Sequence, residues 1–457
     1  NPYRNELLQF DEITNKNYRY DLNKEKVIAN EYMSSESFLK NVETVMALYS
    51  DLSEAQQLNE HRVASLIMLL RNGLRFNRLA LKGLERKPDY DDVNSLNYKI
   101  YEFLLSAFRA ITQDILDQKI LVNSHGCSTL IHAYIDMRLK EEAVNIWELG
   151  RNIPSLKNVF KNDQVLGSIF PLLAENKYYK FDELEKLFNE VKTNKAHPTL
   201  ILGFLRVCLV YNEKDKAINL FTELTELFYG EGQQQESFTY KPYVSYLTDA
   251  HLSFIGYCND LPTAKIFFDN ARSKSMPYPT PLLVNYINLY LENTWNQTKD
   301  IFKVIEIWLN TWENFAIKRN LSNIISASLN NKFLTIFFTK YNSFGSVSFN
   351  LLKELIERYS KIRPLDEPFL NNLITKSSAW REVSVLESIE SAYDLFNVPK
   401  TVVAYRCLIK AFGNVQVSTE KIYRTFTELV KFNDNNNMRY LSNADWLCFK
   451  NATITSS

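Results

Sequence analysis

A short amphipathic phrase recurs along the chain and constrains its fold more than any other feature of the sequence. Each copy has a small or apolar residue, an apolar residue three positions later and an aromatic residue four positions later. The copies are "AVNIW" from Ala143, "LEKLF" from Leu184, "AINLF" from Ala217, "AKIFF" from Ala264, "VIEIW" from Val304, the weaker "LLKELIERY" from Leu351, "AYDLF" from Ala392 and "IYRTF" from Ile422. A helix with one apolar stripe cannot bury all of that stripe against a single partner, so these eight copies predict a stack of eight helical hairpins.

The helices that precede these copies recur as well. Their segments are "STLIHAY" from Ser128, "LGFLRVC" from Leu202, "VNYINLY" from Val284 and "RCLIKAF" from Arg406. A bulky aliphatic residue stands at Ile131 and Ile409, where tetratricopeptide repeats place glycine or alanine. With "TLI" and "EEA" in "GCSTLIHAYIDMRLKEEAVNIW", these helices resemble the pentatricopeptide repeat. The degenerate repeats and the composition, rich in Asn, Lys, Ile, Tyr and Phe, are similar to those of fungal mitochondrial members of that family.

The resemblance implies an all-α fold, a right-handed superhelical α-solenoid of degenerate helix-turn-helix repeats with almost no β-strand. We predict an N-terminal helical cap in residues 1–58, the repeats in residues 59–432 and a C-terminal tail or cap in residues 433–457, because an end repeat must present a solvated outer face. The tail is expected to dock through Trp446 and Phe449. Segments 229–242 and 275–281 are predicted to be exposed loops.

The composition argues against an enzyme. Glycine is scarce, at 11 residues, and the chain has no GxGxxG, GxxxxGK[ST], GxSxG or HExxH motif. His125, Cys127 and His132 are the only local cluster that resembles metal ligands, but on a helix Cys127 points away from both histidines, which favours an ordinary helix start. We therefore expect no catalytic site, no metal and no cofactor. The five cysteines, which are widely spaced and lack a CxxC motif, predict buried free thiols in a reducing compartment.

The resemblance also implies binding of single-stranded RNA, with two or three side chains of each helical unit offered to one base. In the family, the main base-reading residue lies two positions before the Leu-Ile pair of the first helix. The corresponding residues are Ser128, Arg406 and, by looser matching, Leu202 and Val284. Ser128 together with Asn158 (or Asn162, given the extra length) resembles the family's adenine-reading combination, and His125 at the start of that helix joins the predicted RNA-binding set. Leu202, Val284 and Arg406 depart from the family's code: arginine stacks on a base or holds a phosphate, whereas leucine and valine only pack against base faces.

The charge of the chain requires a local binding groove. The 53 basic residues balance 53 acidic ones, so net charge does not attract nucleic acid. Basic residues on the predicted first helices, which together predict a basic concave surface, are Arg206, Lys332, Lys340, Lys376 and Lys410. Lys410 lies one helical turn after Arg406 on the same face, and neither side chain is expected to matter for folding. The alternative is a protein-binding scaffold whose groove holds a peptide or a partner helix, which the neutral net charge and the apolar Leu202 and Val284 favour.

The resemblance further suggests a cellular role. The RNA is expected to be A/U-rich mitochondrial mRNA, which the protein would stabilise, process or deliver for translation. The mitochondrial ribosome is a further candidate partner, DNA is not a partner, and membrane association is expected to be peripheral at most. The expected compartment is the mitochondrial matrix, with a position at the inner membrane as an option, and a targeting peptide is expected outside the printed chain.

Overall fold

A computed structural model describes residues 1–15, 19–21, 26–28, 35–76, 96–229, 242–273, 280–314, 323–415, 419–436 and 441–456. The chain divides into two compact units, Asn1–Asp260 and Leu261–Ser457. The described residues form 22 α-helices, one 3-10 turn at Ser378–Trp380 and two strands of three residues each. The predicted all-α repeat fold with almost no β-strand is therefore confirmed for this part of the chain.

The first unit contains twelve of the described helices and both described strands. The helices are α1 (Arg4–Thr14), α2 (Ser35–Glu54), α3 (Glu60–Phe76), α4 (Leu96–Leu116), α5 (Ser124–Asp136), α6 (Lys140–Asn152), α7 (Lys157–Phe160), α8 (Asp163–Glu175), α9 (Phe181–Val191), α10 (Pro198–Val210), α11 (Lys214–Tyr229) and α12 (Pro242–Tyr257). Strand β1 (Arg19–Asp21) pairs antiparallel with β2 (Lys26–Ile28), with Tyr20 opposite Val27.

The second unit contains the other ten described helices. These are α13 (Leu261–Ser273), α14 (Thr280–Thr298), α15 (Ile301–Asn314), α16 (Asn323–Lys340), α17 (Ser346–Ile362), α18 (Glu367–Ser377), α19 (Val383–Leu395), α20 (Val402–Asn414), α21 (Thr419–Asn435) and α22 (Asn443–Ser456). From Ser124 to Asn435, and leaving out the one-turn α7, the described helices follow one another as eight pairs. This order of helices along the chain agrees with the predicted succession of hairpins, and the exact number of hairpins stays a prediction.

The first helices of the pairs form a layer within each unit. In the first unit α5 packs on α3, α8 on α5, α10 on α8 and α12 on α10. In the second unit α16 packs on α14, α18 on α16, α20 on α18 and α22 on α20. We call these two sets of helices the first-helix layers.

The recurring phrase supplies the contacts between helices, as predicted. Ala143, Ala217 and Ala264, the small residues of three copies, are fully buried. The copy from Ala392 is wrong in register: Phe396 is 36% exposed, whereas Tyr393 is completely buried. The reason is that α19 ends at Leu395, so Phe396 lies beyond the helix and Tyr393 takes the aromatic position.

The aromatic residues of the phrase fill space between successive pairs. The Trp308 ring of α15 stacks on Phe333 of α16 with a centroid distance of 3.9 Å and on Tyr359 of α17 at 5.3 Å. Tyr359 in turn stacks on Phe369 of α18 at 4.7 Å. The buried amide of Asn330 accepts from Trp308 Nε1 at 3.0 Å and donates to the Tyr359 hydroxyl at 3.0 Å, so the polar atoms of this column are paired.

The C-terminal helix docks through the residues that were expected to anchor it. Phe449 stacks on Phe426 with a centroid distance of 4.2 Å, and Trp446 contacts the same ring at 5.4 Å. The α20 and α22 backbones come close at Gly413, where an added Cβ would lie 2.8 Å from Ala452 Cα. The two predicted exposed loops fall mostly on residues 230–241 and 274–279, which lie outside the described residues, and the predicted domain limits stay predictions.

Candidate nucleic-acid interface

The first helices can be compared position by position because five of them have a defined N-cap. The N-cap side chains, each of which accepts a hydrogen bond from the first turn of its helix, are Asn123 (α5), Asn162 (α8), His197 (α10), Asp366 (α18) and Thr401 (α20). The start of one first helix is also tied to the next, since Asp163 accepts from the His197 N–H at 2.6 Å. Glu367 likewise accepts from the Thr401 N–H at 2.8 Å. We refer to positions by their distance from the N-cap.

The first helices α8 and α10 are in backbone contact at two glycines. A Cβ added at Gly203 of α10 would overlap the carbonyl oxygen of Gly167 in α8. A Cβ added at Gly167 would lie 2.6 Å from the backbone nitrogen of Leu200. Only glycine permits this backbone contact, so the crossing of α8 and α10 is fixed by two residues without side chains.

Two of the predicted base-reading residues are buried. Ser128, the fifth residue after its N-cap, is 4% exposed, and its hydroxyl shares a hydrogen bond of 2.7 Å with the Ser168 hydroxyl of α8. Val284 of α14 is 2% exposed. Their predicted contact with RNA stays a prediction, and the structure places both side chains against protein.

Arg406 is bound to the C-terminal helix. Its Nε donates to Asp445 Oδ1 at 2.5 Å and its Nη2 donates to Ser442 Oγ at 2.8 Å. The Asp445 side chain is only 2% exposed, so the arginine is the charge partner of a buried carboxylate. The expectation that Arg406 has no part in folding is therefore wrong, because its side chain holds α22 against α20.

Leu202 and Arg206 lie together on α10. Leu202 is half-buried, and so is Arg206, whose Nη2 donates to Ser253 Oγ at 3.1 Å. The Arg206 guanidinium also lies 4.8 Å from the centre of the Tyr257 ring. Burial raises the pKa of the neighbouring Asp249 to about 6, although the charge of Arg206 opposes that shift. The contacts with Ser253 and Tyr257 therefore fix the guanidinium of the half-buried Arg206 in the first unit's layer.

The predicted lysines all belong to the first-helix layer of the second unit. Lys332 pairs with Glu292 of α14 at 3.0 Å. Lys340 and Lys410 are exposed, and Lys376 is half-buried. Because these four lysines come from three neighbouring helices, the structure brings the predicted basic residues together in one layer, apart from Arg206 in the first unit.

His125 and Asn158 differ in location. His125 is exposed near the start of α5, where its Nδ1 lies 3.5 Å from Gln164 Nε2 of α8. It therefore stands on the solvent face of the first unit's layer. Asn158 is exposed as well, but it belongs to the short α7 that follows a second helix and not to a first helix. Asn162, its alternative, accepts from the Gln164 N–H and caps α8.

The two helix classes differ in charge. In the first-helix layer of the second unit, six basic residues face three acidic ones: Lys332, Lys340, Lys376, Arg406, Lys410 and Lys450 against Glu292, Glu367 and Asp445. The second helices of that unit, α13, α15, α17, α19 and α21, carry nine basic and eleven acidic residues. In the first unit the second helices α4, α6, α9 and α11 carry seven basic and twelve acidic residues. The first-helix layer of the first unit carries four basic and five acidic residues, so an excess of basic residues that attracts a polyanion is found only in the first-helix layer of the second unit.

A polar stripe on α16 was not predicted from the sequence. Its residues Ser328, Asn331, Thr335 and Thr339 are exposed and recur at intervals of three or four along the helix. The Asn288 amide of α14 donates to Ser328 Oγ at 3.2 Å, which joins the stripe to the neighbouring helix. Because these residues are uncharged, a search for basic residues passes over them. The helical period of small polar residues on a first helix was the available signal.

The described part of the chain contains no group of three or more His, Cys, Asp or Glu residues that could hold a metal ion. No helix described there is both long and apolar enough to cross a membrane. All five cysteines are free; Cys407 is half-buried and the other four are buried, as predicted. Burial raises the pKa of the Cys127 thiol, so it is not a reactive thiolate.

Two domain families match the chain. Residues 1–161 match the RMD9 N-terminal domain, and residues 181–399 match the RMD9 middle domain. The chain belongs to the RMD9 family. This confirms the resemblance recognised in the sequence, and it places the chain among helical-repeat proteins rather than enzymes.

Members of the RMD9 family from yeasts resemble the chain over most of its length. The Saccharomyces cerevisiae protein named "RNA-binding protein RMD9-like, mitochondrial" is 36% identical over 92% of this chain and 56% of its own length. "RNA-binding protein RMD9, mitochondrial" of the same organism is 33% identical over 100% of this chain and 70% of its own length. The chain thus spans little more than half the length of the RMD9-like relative.

A solved structure from the family has the same fold. The structure of yeast Rmd9p in complex with a 16-nucleotide target RNA superposes with a TM-score of 0.84 at 32% identity. The superposition covers 100% of this chain and 86% of the Rmd9p chain.

Proposed function

We propose that this protein binds single-stranded RNA through the solvent faces of its first-helix layers. The observation that carries the proposal is the likeness of the whole chain to Rmd9p, a protein whose structure contains its target RNA. The relatives quoted above are also named RNA-binding proteins. RNA binding requires no catalytic group, which agrees with the membership of a repeat family.

The distribution of charge supports the first-helix layers as the binding face. RNA phosphates contribute a large share of affinity, and lysine and arginine supply most of the contacts to them. Lys340 and Lys410 are exposed on the layer of the second unit, and Lys332 and Lys376 are half-buried beside them. The polar stripe on α16 lies on the same layer and adds hydroxyl and amide groups that can bond to base edges.

The proposal extends to the identity of the RNA and to its fate. We propose A/U-rich mitochondrial mRNA, because the family resemblance implies it and because the relatives are named mitochondrial. The protein would act in the matrix and stabilise, process or deliver the transcript, with the mitochondrial ribosome as a further partner. No DNA target is proposed.

The experiment that tests the proposal is fluorescence anisotropy with labelled 16-nucleotide RNAs, A/U-rich or G/C-rich, and with a duplex of the A/U-rich strand. We expect the A/U-rich single strand to bind tightest and the duplex to bind poorly, because base edges must be exposed to be read. Equal affinity for all three RNAs would refute recognition of bases. Absence of binding to any of them would favour the protein scaffold.

A matched pair of lysine variants tests which face binds. Lys340→Ala removes an exposed charge from the first-helix layer, and Lys431→Ala removes an exposed charge from the second helix α21. We expect Lys340→Ala to weaken binding and to lower the slope of log K against log salt by about 0.7 for a single strand, whereas Lys431→Ala has no effect. The reverse result would place the RNA on the second helices.

A further inference from the structure

We infer that the bases are read one helical turn beyond the position used in the pentatricopeptide pattern, by the ninth residue after the N-cap of each first helix rather than the fifth. The inference rests on the proposed function and concerns the same face. It assigns specificity to side chains that the family pattern does not single out.

The fifth position is used up by contacts within the protein. In α8 it is Gly167, which has no side chain and whose Cβ space is filled by the backbone of α10. In α5 it is the buried Ser128, bonded to Ser168. In α18 it is Asn371, 9% exposed, whose Oδ1 accepts from the Tyr393 hydroxyl at 2.5 Å. In α20 it is Arg406, paired with Asp445 of α22. In α10 it is the half-buried Leu202, which has no hydrogen-bonding side chain. Gly167, Ser128 and Asn371 therefore expose no side chain with which to discriminate bases. Arg406 keeps 29% of its side chain exposed but is paired with a buried carboxylate.

In α5, α8 and α20 the group that meets the fifth position belongs to the next first helix, whereas in α18 it belongs to the second helix α19. Helix α22 shows the same position without a following first helix. Ser442 caps α22, since its Oγ accepts from the Asp445 N–H at 3.3 Å, and Leu447 is the fifth residue after this cap. Helix α22 is the last in the described chain, and Leu447 is 58% exposed there. The fifth position is therefore buried or half-buried in the helices on which a following first helix packs, and it is exposed in α22, the last described helix.

None of the ninth-position residues is fully buried in the five helices with a defined N-cap, although Arg206 donates to Ser253 Oγ and the Thr375 hydroxyl donates to the Asn371 carbonyl oxygen at 2.7 Å. The occupants of the ninth position are the half-buried His132, Pro171 and Arg206 and the exposed Thr375 and Lys410. Four residues along a helix advance it by about 6 Å and return to nearly the same face, which carries the side chain past the contacts made at the fifth position. Four of the five occupants carry hydrogen-bonding groups of different kinds, as a position that distinguishes bases requires. Proline would contribute contact with a base face alone.

Helix α18 offers a matched test because both positions carry polar side chains. Thr375→Val removes the exposed hydroxyl at the ninth position and keeps its shape, and Asn371→Ser alters the buried amide at the fifth position. A random pool of single-stranded RNA is selected on wild type and on each variant, and the bound RNAs are sequenced. Lys410→Gln in α20 provides a second ninth-position variant, and thermal melting of each protein reports its folding.

We expect Thr375→Val and Lys410→Gln each to change discrimination at one nucleotide by about fivefold or more. The two changes should fall on adjacent nucleotides, because α18 and α20 are neighbouring first helices. Asn371→Ser should lower the melting temperature and leave the selected sequence unchanged. A selected sequence that changes with Asn371→Ser and not with the ninth-position variants would overturn the inference while leaving RNA binding intact. Failure of wild type to enrich any RNA would instead refute the proposed function.

Discussion

Replacing Gly203 by alanine tests the close crossing of first helices on which the shape of the binding face depends. The added Cβ would overlap the carbonyl oxygen of Gly167 and lie 2.9 Å from its carbonyl carbon and Cα. Carbon atoms in contact prefer a separation of about 3.5 Å or more, so α8 and α10 must move apart by more than half an ångström. The Gly167 backbone cannot rotate away from the added Cβ as a flexible side chain could, so this substitution overpacks the contact severely.

The expected magnitude follows from two opposing effects. Overpacking at a backbone contact costs about 3 kcal/mol, at the upper end of the usual range. Alanine has a higher helix propensity than glycine, which returns about 1 kcal/mol. We therefore expect the free energy of unfolding of the first unit to fall by roughly 2 kcal/mol, and its melting temperature by about 4–8 °C.

Differential scanning calorimetry with circular dichroism at a helical wavelength measures the effect. Gly345→Ala is the control, because its Cβ would meet only Ser348 Oγ at 3.7 Å and its φ of −162° suits any residue. That variant should change the free energy of unfolding by less than about 1 kcal/mol, because alanine is a poorer N-cap than glycine but restricts the unfolded chain more. An unchanged or higher melting temperature for Gly203→Ala would show that helix propensity outweighs packing there and that the two helices are not in backbone contact.

Three further variants test other parts of the structure. Ala217→Leu should overpack its fully buried site and cost roughly 1–3 kcal/mol, and full thermal stability would contradict the repeat register. Arg406→Ala should cost roughly 1–3 kcal/mol by leaving buried Asp445 without its cation, and unimpaired melting would show that the ion pair does not hold α22. Burial raises the pKa of Asp249 to about 6. Between about pH 4 and 6 the Asp249 carboxyl is therefore protonated in the folded chain and ionised in the unfolded chain. The contribution of Asp249 to the free energy of unfolding falls as the pH rises through that window. Asp249→Asn should therefore raise the melting temperature at pH 7.5 more than at pH 4.5, despite the loss of a charge beside Arg206; equal shifts would argue against the raised pKa.

The sequence by itself determined the fold class and the succession of helices along the chain. The pattern of each hairpin can be recognised within about 40 residues, because the small residue, the apolar stripe and the aromatic residue pack within one helix and against its immediate partner. The buried Ala143, Ala217 and Ala264 follow from that local pattern. The register near Ala392 failed for a local reason too, since where α19 ends depends on a helix terminus that the phrase does not encode.

The tertiary structure alone decided which side chains of the first helices reach solvent. Ser128 and Ser168 are 40 residues apart, and Arg406 and Asp445 are 39 apart, so no local pattern indicated that each pair would meet. How closely two first helices cross depends on glycines in both of them, Gly167 and Gly203, and a single-helix pattern cannot encode that distance. Contacts between helices bury Ser128 and Asn371 and leave Thr375 and Lys410 exposed, because packing between helices, and not the periodicity of either one, sets the accessible surface.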